Sequence, residues 1–559
     1  MSVPSPRVAV CVIEELIASG VRDIVLCPGS RSAPIALALA DAERRGLVRL
    51  HVRIDERSGA YLALGLARGS GAPCAVVTTS GTAAVNLHPA IVEAAYSGVP
   101  LVAVTADRPG AVRGSGANQT IDQRDLYGAD AVTWVDLEGL EEPALRDVVA
   151  RTLDLAVGER GGPVHLNLPL SEPLVAPGDH VIGEVEVRAR DAASARQRHA
   201  LLDLLPEGVD LARGMIIVGD FDDPAVRDDA AALADTLSWP IVSEPSGNLS
   251  SHPRALQHGP MVLGCAADLD LLPDVVLTVG RVGLHRSVSA AMRAARAHVA
   301  VDVPPRLGRV DPLRTACAVV DTVPLAESSA LDPAWAARWH AADAIAARVV
   351  TEGLTADQLT GPGVARLVAP HAGAEDLLVV GASWPVRHVS SYAGSLRATC
   401  IGNRGTSGID GVVSTAWGAA VAHADRHPSA TTYALIGDLT AIYDRNGLLA
   451  PVQEPRPRLD YIVIDNDGGG IFSSLEQGAP DFARDFERVF GTPHGADLRQ
   501  LLSAPGVEVI EVDSAEQLRD ALDAPAAGVR VIVARCGSRS EEADLIRSLQ
   551  VEVQASLTR

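Results

Sequence analysis

Two short polar stretches could hold a divalent cation. Gly437-Asp438-Leu439-Thr440 follows the apolar run TTYALI, and Asn466-Asp467-Gly468-Gly469-Gly470 follows LDYIVID. Together they offer a carboxylate, a side-chain amide oxygen and a backbone carbonyl, hard oxygen donors that suit octahedral Mg²⁺ and leave room for phosphate oxygens. A third stretch, HVRIDERSGAYLALGLARGSGAP (51–73), puts Asp55 and Glu56 where a buried strand gives way to a small-residue helix. Flanking apolar sequence predicts little water there. An acid capping the helix that begins near Ser58 accounts for either residue.

The elements that position these stretches are short apolar runs, each followed by a Gly, Ser, Asp or Asn cluster and then by helical periodicity. DIVLCPGSRSAP (23–34), CAVVTTSGTAAVN (74–86), LVAVTADRP (101–109) and VHLNLPL (164–170) form one group. GMIIVGDFDDP, PIVSEPSG, DVVLTVGRVG and HVAVDV form a second, and DLLVVGASWP, TTYALIGDLTAIYD, LDYIVIDNDGGGIF, VEVIEVD and VRVIVARC a third. Continuous apolar strands alternating with helices indicate parallel sheets covered on both faces. The simplest division is an α/β protein of three doubly wound domains, 1–183, 184–345 and 346–559. In such sheets ligands bind beyond the carboxyl ends of the strands, where the polar clusters lie.

Composition excludes several classes. A formal charge of -22 disfavours nucleic acid and acidic lipid as partners. No tract approaches the ~18 apolar residues of a membrane span, and MSVPSPRVAV lacks the pattern of a targeting segment, so no membrane insertion and a cytoplasmic location are expected. Seven scattered cysteines without a CxxC pair indicate neither a disulfide framework nor a zinc site. All 48 basic residues are arginine, which removes Schiff-base chemistry and the Walker A lysine.

The paired stretches at 437–440 and 466–470 resemble the thiamin diphosphate signature, with Leu439 in place of its usual second glycine and Asp465 in place of its first asparagine. The resemblance implies Asp438, Asn466 and the carbonyl of Gly468 as ligands of Mg²⁺ (or Mn²⁺), with Gly437 and Leu439 beside the cofactor. It also gives Glu56 a role, as the carboxylate that hydrogen-bonds the cofactor's pyrimidine and drives its tautomerisation. CPGSRSAP, IDERSGAYLALGLA, TSGTAAVN, TADRP, GANQ, NRGTSGIDG and NDGGGIF occur in one order along the chain. As a set they resemble the 2-succinyl-5-enolpyruvyl-6-hydroxy-3-cyclohexene-1-carboxylate synthase family of menaquinone biosynthesis, strongly in the first and third domains and thinly in the second.

That family joins 2-oxoglutarate to isochorismate with release of CO₂, and both substrates carry two carboxylates. Arg31, Arg108, Arg286, Arg387 and Arg404 all fall on or just beyond expected strand ends, and guanidinium forks bind carboxylates bidentately. By resemblance, Ser383, Arg387 and Arg404 hold the part derived from 2-oxoglutarate, while Ser30, Arg31, Arg108 and Arg286 face isochorismate. His285 stands where a basic residue, often lysine, is expected. Asn118 and Gln119 would hydrogen-bond reaction intermediates, Ile409 would wedge beneath the cofactor's two rings, and Ile471, Phe472 and Leu475 would wall the isochorismate pocket. The resemblance further implies a homodimer or homotetramer with Glu56 and the metal ligands contributed by different subunits.

Three other readings are distinguishable. An acetolactate synthase-like carboligase or another 2-oxoacid decarboxylase would take smaller or monoanionic substrates and would not need five such arginines. A nucleotide-binding oxidoreductase would need a dinucleotide fingerprint, but GSGANQ (114–119) lacks its final glycine and does not directly follow an apolar strand. A non-catalytic binding homologue would be free to lose Glu56 or Asp438, and both are present.

Overall fold

The structure is a computed structural model that describes residues 3–159, 161–175, 178, 180–189, 196–303, 307–308, 310–326, 332–354, 359–524 and 526–559. Three sheets follow one another along the chain, and every strand pair in them is parallel. The first contains β1 (Asp23–Leu26), β2 (Arg49–Val52), β3 (Cys74–Thr78), β4 (Leu101–Asp107), β5 (Thr133–Asp136) and β6 (Val164–Pro169), in the order β2-β1-β3-β4-β6-β5. The second contains β7 (Gly214–Val218), β8 (Ile241–Ser243), β9 (Val275–Val279), β10 (Ala297–Val301) and β11 (Ala318–Val320), in the order β11-β10-β9-β7-β8. The third contains β12 (Leu377–Val380), β13 (Thr399–Ile401), β14 (Thr432–Gly437), β15 (Leu459–Asp465), β16 (Val507–Val512) and β17 (Val529–Arg535), in the order β13-β12-β14-β15-β17-β16. The fold is the α/β class that the alternation of apolar strands and helices implied.

The first and third sheets share one strand order, so an element of one has a counterpart in the other. The helix Glu56–Ser70 follows β2 and the helix Val412–Ala424 follows β13, and these two counterparts pack against each other. Small residues let their backbones approach. A β-carbon at Gly65 would lie 2.1 Å from the carbonyl oxygen of Thr415, and one at Gly418 would lie 2.2 Å from that of Leu62. Residues of both sheets therefore belong to one continuous apolar cluster that includes Val76, Leu62, Trp417 and Val463.

A buried ionic cluster reinforces the same seam. His51 on β2 lies between Asp23 of β1, 3.0 Å from Nε2, and Glu454 of the third domain, 3.3 Å from Nδ1. Arg53 reaches Glu454 at 2.9 Å, and Arg49 bridges Asp23 at 2.5 Å and Asp425 at 2.9 Å. Burial alone would lower the imidazole pKa, but hydrogen bonds to Asp23 and Glu454 outweigh it and the net shift is upward. With acceptors at both nitrogens, the doubly protonated ring is the form that satisfies them.

The central sheet is covered by the helix Pro333–Gly353, whose Trp335 and Trp339 are buried, with Trp335 Nε1 donating to the carbonyl of Gly214 at 2.7 Å. This helix runs unbroken past residue 345, so the division expected at 345/346 falls inside a helix. Leu549 and Val553 of the last helix, Arg539–Thr558, join the same core. Among the described residues no helix is long and apolar enough to cross a membrane.

Two measurements check this packing. Gly65→Ala should destabilise the fold by about 1–3 kcal/mol, because neither backbone can retreat from the new methyl group, and should lower the thermal midpoint. The contribution of His51 should be fully present below its unfolded pKa of about 6.5 and be lost as pH rises through the raised folded value. The gap in melting temperature between the parent and His51→Gln should accordingly be widest near pH 6 and shrink towards pH 9.

Candidate active site

Asp438 is the first residue of a short helix that starts where β14 ends, and Asn466 follows the last residue of β15, the adjacent strand. The Asp438 side chain draws the two ends together. Its Oδ1 accepts from the N–H of Leu439 at 2.6 Å, and its Oδ2 accepts from the N–H groups of Asn466 at 3.2 Å and Gly468 at 2.8 Å. Gly468 has φ +130, and a β-carbon there would meet the carbonyl oxygen of Gly491 at 2.2 Å. Asp438 is 2% exposed and Asn466 is 8% exposed, yet the Asn466 side chain makes no hydrogen bond among the described residues. A buried amide left without a partner next to a buried carboxylate is a donor set that fits a hard cation.

A cavity opens on these groups. Ser383, Ile409, Gly437, Asp438, Leu439, Asn466, Gly468, Ile471 and Phe472 all line it, together with Trp384 and Thr440. Ser383 sits at φ +70, a conformation costly for a residue with a β-carbon, immediately before the helix Trp384–Tyr392. Leu475 lies beyond the lining, in the same loop as Ile471 and Phe472.

His494 joins this group without any signal in the sequence beyond a lone histidine in GTPHGAD. Its Nε2 lies 3.4 Å from Asp438 and 3.6 Å from Asp465, and the three side chains could surround an ion. The N–H of Ala496, however, donates to Nδ1 at 3.0 Å, so the proton of the neutral ring resides on Nε2. That nitrogen lies beside the two carboxylates without a hydrogen bond to either. The contact with Asp438 raises the His494 pKa, while burial and then the neighbouring Asp438 charge raise that of Asp465. Asp467 holds the loop in place by accepting from the N–H groups of His494 and Gly495 at 3.0 and 2.8 Å.

Two arginines stand beside the cavity. Arg387 donates from Nε to the Leu284 carbonyl at 3.1 Å and from Nη1 to that of Ser383 at 2.7 Å. Arg404 is 8% exposed and makes no hydrogen bond among the described residues. Burial, and then the Arg404 charge, lower the Arg387 pKa. His285 is pushed down to about 3 by burial and then by both arginines, so the imidazole there is neutral. Arg286 is paired at 2.7 Å with Glu476, the residue after Leu475, and both side chains are about three-quarters exposed.

The first domain carries a second group. Asp55 is the helix cap, accepting from the N–H of Ser58 at 3.1 Å and from Asn446 at 2.9 Å. Glu56, the first helical residue, is half-buried and makes no hydrogen bond among the described residues. Of the two acids, one is thus used by the helix and the other is free. Near the carboxyl ends of β1, β3 and β4, Arg108 donates to Ser80 and, at 2.8 Å, to the Gln119 carbonyl, while Gln119 donates to the Ser80 carbonyl at 3.0 Å. Arg31 donates to the Leu170 carbonyl at 3.0 Å, and burial followed by the Arg31 charge lowers the Arg108 pKa. Ser30 and Asn118 are exposed.

Within one chain, then, the expected residues form two groups rather than one. The cavity at Asp438 gathers the three expected metal ligands with Ile409, Ile471 and Phe472, whereas Glu56 does not line it. Ser30, Arg31, Arg108, Asn118 and Gln119 accompany the first domain.

Residues 6–126 match the family described as thiamine pyrophosphate enzyme, N-terminal TPP binding domain, which includes Glu56. The 2-succinyl-5-enolpyruvyl-6-hydroxy-3-cyclohexene-1-carboxylate synthase of Thermobifida fusca (strain YX) is 43% identical over 99% of this chain and all of its own length. The proteins of the same name from Saccharopolyspora erythraea and Mycobacterium tuberculosis (strain H37Rv) are 39% and 40% identical over 99% of this chain, covering 99% and 100% of their own lengths. With the signature residues in place at two strand ends and full-length similarity at this level, the chain belongs to the 2-succinyl-5-enolpyruvyl-6-hydroxy-3-cyclohexene-1-carboxylate synthase family of thiamin diphosphate enzymes.

Proposed function

We propose that this enzyme joins 2-oxoglutarate to isochorismate with loss of CO₂, in the cytoplasm, using thiamin diphosphate anchored through Mg²⁺ or Mn²⁺. The observation that carries the reading is the buried pair Asp438 and Asn466, with its unpartnered amide, next to two arginines that retain free donors. When bound, thiamin diphosphate supplies the nucleophilic carbon and the electron sink that decarboxylation and carbon–carbon bond formation require. Asp438, Asn466 and the Gly468 carbonyl would hold the cation. Arg387 and Arg404, with Ser383, bind the carboxylates of the donor by charge-assisted hydrogen bonds. Ser30, Arg31 and Arg108 offer the same chemistry to the acceptor, and Asn118 and Gln119 orient the reacting groups. Ile409, Ile471, Phe472 and Leu475 exclude water, and Glu56 accepts a hydrogen bond from the pyrimidine and shares its proton.

These roles require Glu56 to meet a cavity that it does not reach in its own chain, and we infer that a second copy supplies it. Ile54 and Val452 are each 83% exposed, and Tyr443 and Leu449 are about half exposed. They flank Glu56, because Arg57 donates to the Tyr443 carbonyl at 3.0 Å and the N–H of Val52 to Glu454 at 2.6 Å. Apolar side chains gathered around a free carboxylate favour cover by a partner surface, in a homodimer or homotetramer.

Glu56→Gln should lower kcat by about 10²-fold or more, roughly 3 kcal/mol of barrier, with cofactor affinity changed little. Steady-state turnover of 2-oxoglutarate with isochorismate, against pyruvate as a control donor, measures it; near-normal turnover would remove Glu56 from the mechanism. Chelating the divalent ion should release the cofactor, and Asp438→Ala should weaken cofactor binding by about tenfold or more. Quenching of tryptophan fluorescence by thiamin diphosphate follows both, since Trp384 lines the cavity.

A further inference from the structure

The central domain reaches Arg387 through the Leu284 carbonyl, and one buried carboxylate holds the turn that presents it. Glu244 follows β8 and is 2% exposed. Its Oε1 accepts from the N–H groups of Gly283 and Leu284 at 2.7 and 2.8 Å, and the carbonyl of Leu284 in turn accepts from Nε of Arg387 at 3.1 Å. One carboxylate oxygen thereby fixes the turn on which Arg387 rests. The other, Oε2, is sealed from solvent and has no hydrogen-bond partner.

A buried carboxylate oxygen without a partner is costly, and a fold retains it only where a charge nearby compensates. Burial raises the Glu244 pKa, and the charge of Arg404 is the first influence that opposes this; Glu244 in turn supports the charge on Arg387. Arg404 is itself buried without a hydrogen bond among the described residues. The Arg404 charge disfavours the charged form of Arg387, and the Glu244 charge opposes that effect. His285, neutral at this place, adds no third positive charge.

We propose that Glu244 is a positioning residue for donor recognition, holding Arg387 through the Gly283–Leu284 turn that its carboxylate fixes. The proposal rests on the reading that Arg387 and Arg404 bind the carboxylates of 2-oxoglutarate, and it gives the central domain a share in selecting that substrate.

Glu244→Ala, Glu244→Gln and Arg404→Ala holoenzymes should be compared by steady-state kinetics with 2-oxoglutarate and isochorismate, and by thiamin diphosphate titration. Glu244→Ala should raise KM for 2-oxoglutarate about tenfold, with kcat and cofactor affinity within about threefold of the parent. Glu244→Gln keeps an acceptor for both N–H groups but no charge, so its KM should rise by only about threefold. If the alanine variant does not fold, the glutamine variant decides alone: a KM within experimental error of the parent overturns the proposal. So does an alanine variant with unchanged KM, or one whose cofactor affinity falls in step with KM. A raised KM in Arg404→Ala alongside an unchanged one in Glu244→Ala overturns the positioning role alone. An unchanged KM in Arg404→Ala overturns the donor-site reading and this proposal with it.

Discussion

Three backbone N–H groups, from Leu439, Asn466 and Gly468, converge on the Asp438 carboxylate, and through them the ends of β14 and β15 become one rigid unit. A cation site assembled from two separate loops would otherwise have to order both on binding. Here the ordering is already done by hydrogen bonds to a group that is 2% exposed, and the Asn466 amide is left free to take a ligand. His494 extends the arrangement from a third segment, its Nε2 lying 3.4 Å from Asp438 and 3.6 Å from Asp465. The cavity, its apolar wall and the neighbouring arginines are all placed relative to that fixed point.

The shared order of the first and third sheets explains how the remaining half of the chemistry is held. Counterpart helices pack through Gly65 and Gly418, closely enough that neither could carry a side chain. The start of the helix Glu56–Ser70 is tied at several points to residues 443–446, through Asp55 to Asn446, Arg57 to the Tyr443 carbonyl and Ser58 to Asp444. Burial raises the Asp444 carboxyl to about 6 despite its hydrogen bonds from Ser414. Asp55, Arg57 and Ser58 are therefore anchored within the chain, while Glu56 makes no hydrogen bond among the described residues. The proposed second copy would meet a carboxylate already positioned by its flanks.

Much of this was legible in the sequence because function in doubly wound sheets sits where apolar runs stop, and those stops are marked by polar and glycine residues. The lengths of β1, β3, β4, β14 and β15 follow from runs buried on both faces. The strands that escaped are β5, β11 and β13, all sheet edges: β5 and β11 are partly exposed, and β13 is only three residues long, so none carries a continuous apolar run. Residue types alone left Asp55 and Glu56 interchangeable as helix caps; the resemblance singled out Glu56, and the structure makes Asp55 the cap. His494 and Glu244 were invisible because their importance comes from neighbours far away in the chain. Arg286 shows the reverse: its position beyond a strand was readable, but its partner in the chain is the exposed Glu476.

The proposed chemistry requires one site to draw Glu56 from one copy and Asp438 from another. Co-expressing Glu56→Gln and Asp438→Ala chains under separate tags, and purifying the mixed species, tests this directly. If the two residues come from different copies, each mixed dimer contains one intact site beside one doubly defective site, and the mixed species should recover about half of the parental turnover while either variant alone stays near zero. Mixed dimers as inactive as their parents would mean that both residues act within one chain, and would contradict the account.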